Sequence, residues 1–296
     1  MERKVGSGVA TVEAEADGTF VLRVDGSLQS QVDLADPANL CFEYVRRIGD
    51  VLDAVAERRQ PISVLHIGGA GLTLARYVAA TRPRSRQIVL EPDEDLTEFV
   101  RETLPLPKRA GIKVRPVTGR AGIAAVYPDS VDVVIVDAFV HEAVPANLVT
   151  AEFVAECARV LRPAGLLVFN LIDGSAGLTF VRRVAATLRT HLTPPAGGSE
   201  GAGPPARLSG AAESRPPGGA GFGVVLAERK VLRGKGFGNV VLVGSAQPVP
   251  ELSDAGRRAQ PPYEVLPLAE LAGKAEPLTD ADGFTTPAAP AGTFGR

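Results

Sequence analysis

Two acids and a cluster of glycines are the residues of this chain best placed to do chemistry. The stretch VDVVIVD runs from Val131 to Asp137 and ends six mostly apolar residues with a carboxylate. An acid in that position is costly to bury unless it is used or capped, so Asp137 is a candidate catalytic group. The stretch ISVLHIGGAGLTLARYV, residues 62–78, joins a short apolar strand to a helical pattern through Gly68, Gly69 and Gly71. Glycines permit positive φ and close approach, so the backbone N–H groups of such a turn can meet a ligand. The pattern falls short of G-x-G-x-x-G because Thr73 occupies the sixth position, and a tight turn without a ligand reads the same way. Glu91, 20 residues beyond Gly71, ends the next apolar run. An acid there can accept hydrogen bonds from both hydroxyls of a ribose. An acid complementing a helix dipole is the alternative, which the neighbouring Asp93, Glu94 and Asp95 fit better. Together the glycine turn and Glu91 point to a nucleoside-type ligand.

These residues need a frame to hold them. Short continuous apolar runs at 63–67, 87–90, 112–117, 131–136 and 166–171 read as strands buried on both faces. Helical patterns at 72–80, 96–104, 146–161 and 177–191 alternate with them. The alternation predicts an α/β fold with a doubly wound, mostly parallel sheet, in which Asp137 lies beyond a strand end beside the glycine turn. Before it, residues 8–35 alternate as a hairpin or meander broken at Asp-Gly pairs, a small N-terminal β segment. Asp36-Pro37 reads as the start of a helix that runs to about Arg59, with Leu40, Tyr44, Ile48, Leu52 and Val55 on one face. Residues 193–222 are low in complexity and rich in Pro, Gly, Ala and Ser, the composition of a disordered insert. The stretches GVVLAERKVL and NVVLVGS then read as a closing antiparallel hairpin. The domain plan is therefore 1–35, 36–245 with the insert, and a Pro-rich extension over 246–296 with one short helix at 267–272.

Composition narrows the function classes. The chain has 296 residues, 45% of them hydrophobic, and a net charge of −2, without a Lys/Arg block, so nucleic acid is not an expected partner. With three histidines, metal chemistry is not expected. The two cysteines, Cys41 and Cys157, form no disulfide framework. The first residues lack the apolar core of a signal peptide and no run approaches membrane-spanning length, so a soluble cytoplasmic protein is the default expectation.

The order and spacing of the motifs resemble the spermidine synthase (polyamine aminopropyltransferase) family on the class I S-adenosylmethionine-dependent methyltransferase fold. VDGSLQ at 24–29 resembles the family's L-D-G-x-x-Q, VLHIGGAG its V-L-x-I-G-G-G, and VLEPD the V-E-I-D that ends its second strand. VVIVDAFVHEAVPANLV resembles D-V-I-I-x-D-x-x-D-P-x-G-P-A-x-x-L, and PLTDADG a late L-T-D-D segment. The resemblance implies a donor substrate, decarboxylated S-adenosylmethionine or S-adenosylmethionine itself, held by Gln29, Gly68, Gly69, Gly71, Glu91 and Thr118. It implies Asp137 as the base for an amine acceptor such as the polyamine putrescine, without a metal. A carboxylate suits that role because a protonated amine is no nucleophile. The resemblance places Tyr44 either on the acceptor side or in the core; Glu142 reads either as a stand-in for the missing second acid on the acceptor side or as a solvated loop acid. It also implies a homodimer built through the N-terminal region, although a short β segment can equally pack on its own domain. The chain departs from the family pattern at three acids: the glycine turn has none, Val140 stands at the second position of D-x-x-D, and Thr118 stands where an adenine-contacting acid falls. Methyl transfer and non-catalytic nucleoside binding share the fold and stay open as alternatives.

Overall fold

The N-terminal alternation folds as an antiparallel four-stranded meander, β1 (Glu2–Val5), β2 (Gly8–Ala14), β3 (Phe20–Val24) and β4 (Ser27–Val32). Asp25 and Gly26 both take positive φ, 47° and 80°, as a tight two-residue hairpin turn between β3 and β4 requires. One face of the meander buries Val5, Val12, Leu22 and Val32 against Leu72, Val89, Phe99 and Val100 of the α/β body. This computed structural model describes residues 1–140, 142–174, 177–192 and 223–288; the 193–222 stretch, expected to be a disordered insert, lies outside them.

The helix expected from Asp36 begins later, as α1 (Glu43–Val55). Local turns take the amides that a helix start would need. Asp33 Oδ1 accepts from the amides of Ala35 and Asp36, and Asp36 Oδ1 accepts from that of Ala38. Leu40 is thus outside the helix but still buried against Ile48 and Leu52.

From here strand and helix alternate: β5 (Ser63–Ile67), α2 (Thr73–Thr81), β6 (Arg86–Leu90), α3 (Glu94–Thr103), β7 (Ile112–Arg115), α4 (Gly119–Ile123), β8 (Val131–Val136), α5 (Ala151–Val160), β9 (Leu161–Asp173) and α6 (Thr179–Leu192). The helix expected over 146–161 is interrupted. A 3₁₀ turn covers Ala146–Leu148, and α5 starts three residues later. At that break the C-terminal segment intervenes: Leu278 O accepts from Ala151 N, and Thr150 Oγ1 donates to Asp280.

The chain closes through β10 (Gly223–Ala227), α7 (Arg229–Leu232), β11 (Gly238–Gly244), α8 (Ser253–Arg258), β12 (Glu264–Pro267) and α9 (Leu268–Ala272). The expected strand GVVLAERKVL stops at Ala227, and Arg229–Leu232 turns helical, so β10 and β11 pair across a helical connection rather than a glycine turn. The segment after residue 245 adds β12 to β10 and packs α9 on the same core as α6.

The eight strands lie in the order β12-β10-β11-β9-β8-β5-β6-β7. Five are parallel, from β9 to β7, and β11, β10 and β12 extend the sheet antiparallel. Alternate residues of the central strands feed opposite faces. Val134 and Val136 pack with Phe153 of α5 and Val184 of α6, whereas Val133 and Ile135 pack with Ile48 of α1 and Val78 of α2. This is the class I methyltransferase-like arrangement expected from the sequence, with a separate antiparallel N-terminal sheet. No helix among the described residues is long and apolar enough to cross a membrane.

Candidate active site

The strand order reverses at β5, whose neighbours are β6 and β8, and the crevice at that point is where open α/β sheets bind ligands. The glycine turn follows β5 and Asp137 follows β8, so the topology brings them together. Gly68 takes a φ of 93°, and a Cβ there would sit 2.3 Å from the carbonyl oxygen of Asp137. Glycine at 68 is therefore what lets the turn and the acid-bearing strand end touch. Gly68→Ala is expected to cost on the order of 3 kcal/mol, combining left-handed strain with overpacking. It should also displace Asp137. Denaturant midpoints together with a structure of the variant would check both effects.

The neighbouring glycines differ. Gly69 lines the cavity, and a Cβ there would press on Val89 and Glu91. Gly71, expected to line the ligand, faces β4 instead: its amide donates to Ser30 Oγ at 3.0 Å, and a Cβ would lie 2.7 Å from Ser30 Cβ. Its smallness serves the docking of the meander.

Glu91, at the end of β6, folds back on the turn. Its Oε2 accepts from Gly69 N at 2.9 Å and its Oε1 from Asp93 N at 3.0 Å. Burial raises its proton affinity, and the backbone donors oppose that rise. Asp93 caps α3 through Leu96 N, as a helix-start acid should, and also accepts from Ser7 N and Oγ, clasping the meander to the body.

Asp137 is the most perturbed carboxyl of the site. Burial pushes its pKa up to about 6, against hydrogen bonds from Asn170 and Tyr44. Asn170 Nδ2 donates to Oδ1 at 2.8 Å, and Tyr44, in the first turn of α1, places its hydroxyl 3.5 Å from Oδ2. Burial and the nearby Asp137 charge hold the Tyr44 phenol protonated, well above its ordinary pKa.

The remaining expected residues lie around the same cavity, whose volume is about 1350 Å³. Gln29 reaches it from β4. Thr118 lines it while its hydroxyl caps α4 through Ala121 N. Glu142, in the loop after β8, accepts from Ser27 Oγ at 3.3 Å and ties that loop to the meander. The cavity exceeds the roughly 300–1,000 Å³ of a usual small-ligand pocket, so it has room for a nucleoside and a second small molecule together.

Sequence reasoning missed Asn170 and a charged cluster on the cavity lining. Asn170 lies beside Asp137 because β8 and β9 pair Val136 with Phe169. The available signal was a polar residue inside the apolar run LLVFNL, of the same kind that singled out Asp137. Behind Asn170 on the same cavity, Glu43 and Glu228 flank Arg47, and Lys230 pairs with Glu228 at 2.9 Å. Four residues scattered over 43–230 give no local pattern.

Residues 65–169 match the family described as a methyltransferase domain. The chain is 25% identical over 148 residues to the polyamine aminopropyltransferase of Chromobacterium violaceum, covering 50% of this chain and 56% of that protein. It is 31% identical over 109 residues to a probable polyamine aminopropyl transferase of Bifidobacterium longum, covering 37% of this chain and 24% of that protein. The matched segments thus span about half and about a quarter of those two relatives. The fold superposes on the crystal structure of a probable spermidine synthase from Corynebacterium glutamicum with a TM-score of 0.79 at 24% identity, over 98% of this chain and 99% of that one. The sequence likeness to polyamine aminopropyltransferases covers part of the chain, and the structural likeness shows a methyltransferase-like fold.

Proposed function

We propose that the protein is an aminopropyltransferase that moves an aminopropyl group from decarboxylated S-adenosylmethionine to an amine such as putrescine. The observation that carries this reading is the placement of a half-buried, proton-hungry Asp137 on the same cavity as the glycine turn and Glu91. Glu91 accepts hydrogen bonds from the ribose hydroxyls, and Gly68 and Gly69 let the nucleoside lie against the turn. Gln29 and Thr118 border the nucleoside, and Tyr44 and Glu142 border the acceptor. The acceptor arrives as an ammonium and gives one proton to the Asp137 carboxylate. The freed nitrogen lone pair attacks the aminopropyl carbon next to the sulfonium, a C–N bond forms and the C–S bond breaks. The sulfur keeps that electron pair, so methylthioadenosine leaves as a neutral thioether. The proton on Asp137 then passes to solvent. A carboxylate with a pKa near 6 suits this work because it is ionised at neutral pH yet basic enough to take a proton in the transition state.

A second reading, methyl transfer from S-adenosylmethionine, draws on the methyltransferase-domain match and on a glycine turn without an acid, which would tolerate a donor that keeps its carboxylate. The spent nucleoside separates the readings. With decarboxylated S-adenosylmethionine and putrescine, mass spectrometry should find methylthioadenosine. S-adenosylhomocysteine from S-adenosylmethionine and an amine pool would favour methyl transfer. The absence of both products would leave a nucleoside-binding protein and overturn the enzyme reading.

A further inference from the structure

The hydrogen bonds behind Asp137 run further than one residue. Asn170 Nδ2 donates to Asp137 Oδ1, and Asn170 Oδ1 in turn accepts from Asn239 Nδ2 at 3.0 Å. The two asparagines sit diagonally on one face of the β9–β11 ladder, since Asn170 pairs with Val241 and Asn239 with Ile172. Behind them Arg47, 2% exposed, donates through Nη1 to the carbonyl of Asn239 at 3.1 Å. The direction of the chain follows from chemistry. An ionised carboxylate has only acceptors, so Asn170 must turn its NH₂ group towards Asp137. Its carbonyl oxygen then faces Asn239, which must supply its own NH₂ group.

We propose that Asn239 is a positioning residue for Asp137: by fixing the amide of Asn170 it keeps a donor aimed at the carboxylate and so sets the pH at which the base is ready. The proposal rests on the reading of Asp137 as the base. The other titratable groups around the carboxyl are engaged elsewhere, apart from Tyr44 of α1, which donates to its second oxygen. His66 of β5 is bonded to Gln87, and burial lowers its pKa to about 4, so it is neutral. Glu91 of β6 is turned onto the glycine-turn amides, and Glu142 of the loop after β8 accepts from Ser27. Glu43 and Arg47 of α1, with Glu228 and Lys230 at α7, pair among themselves. Asn170 and Tyr44 are therefore the donors that oppose the burial of Asp137, and Asn239 governs the first of them.

The test compares wild type with Asn239→Leu, a nearly isosteric change that removes the donor. Rates of product formation are read from pH 5 to 9. In parallel, carbon NMR follows the side-chain carboxyl carbon of Asp137, assigned by its loss in Asp137→Asn. Loss of one charge-favouring hydrogen bond is expected to raise both the acid limb and the NMR midpoint by about one pH unit. The rate at pH 6 should then fall roughly fivefold to tenfold relative to the rate at pH 8.5. Asn170→Leu should move the midpoint at least as far. A folded Asn239→Leu protein with an unmoved midpoint, or with a loss of rate equal at every pH, would overturn the proposal. If the leucine variant does not fold, Asn239→Ser, smaller and unable to span the distance, carries the same comparison. If Asp137→Asn still makes product while the midpoint shifts in Asn239→Leu, the relay stands and the base reading falls.

Discussion

Asp137→Asn is expected to lower product formation about a thousandfold and, at pH 8, to make the protein more stable. The first effect follows from the proposed role of Asp137 as a general base, which is worth roughly 10²–10⁴ in rate. The second follows from linkage. The carboxyl has a pKa of about 6 in the folded protein, raised chiefly by burial. In the unfolded chain an aspartate titrates at about 3.9. Between those two values the native state holds a proton that the unfolded state has lost, so stability falls as pH rises through that window and is level above it. At about 1.4 kcal/mol per pH unit, the ionised carboxylate costs at most about 3 kcal/mol at pH 8. An amide has no charge to desolvate and can still accept from Asn170. Thermal unfolding should therefore show Asp137→Asn melting a few degrees above wild type at pH 8, with the gap closing below pH 4. Equal melting temperatures at pH 8 would mean that the carboxyl is better solvated than its surroundings imply.

Arg82→Ala is expected to cost about 4 kcal/mol of stability and to weaken the site from a distance. Arg82 closes α2 and is 2% exposed. Its guanidinium donates to five carbonyls at the end of α1 and just beyond. Nη1 reaches Glu57 and Gln60, and Nη2 reaches Leu52, Asp53 and Ala56. No basic residue of α1 itself stands in its last turn, so this one side chain from α2 satisfies the helix's C-terminal acceptors. Truncation strands buried carbonyls and leaves a cavity, each worth a few kcal/mol. Arg82→Lys should recover only part of the loss, because an ammonium has three donors and no fork. Tyr44, proposed to border the acceptor, rides on the other end of α1, so loosening that helix should also raise the KM for the proposed amine acceptor. Urea unfolding and steady-state kinetics on both variants check the two effects separately. An Arg82→Ala midpoint within error of wild type would show that water replaces the guanidinium at little cost.

The parts of the site that were legible in the sequence share one physical property: they interrupt a local pattern. β5 and β8 lie where the apolar runs placed them, at Ser63–Ile67 and Val131–Val136, because a strand buried on both faces must be apolar throughout. Asp137, Glu91 and the glycines stood out against those runs, and all except Gly71 line the cavity. The sequence by itself therefore determined the doubly wound sheet, the N-terminal meander and the acid at the switch point. The tertiary structure decided what those residues touch. Gly71 meets Ser30, 41 residues away, Asn170 meets Asn239, 69 away, and Arg47 meets the carbonyl of Asn239, 192 away. The later start of α1 at Glu43 is a local matter instead, since side-chain bonds from Asp33 and Asp36 compete with a helix over residues 35–38. Periodicity and capping report on neighbours along the chain. A hydrogen bond across the sheet leaves no such mark, because either partner alone reads as one more polar residue.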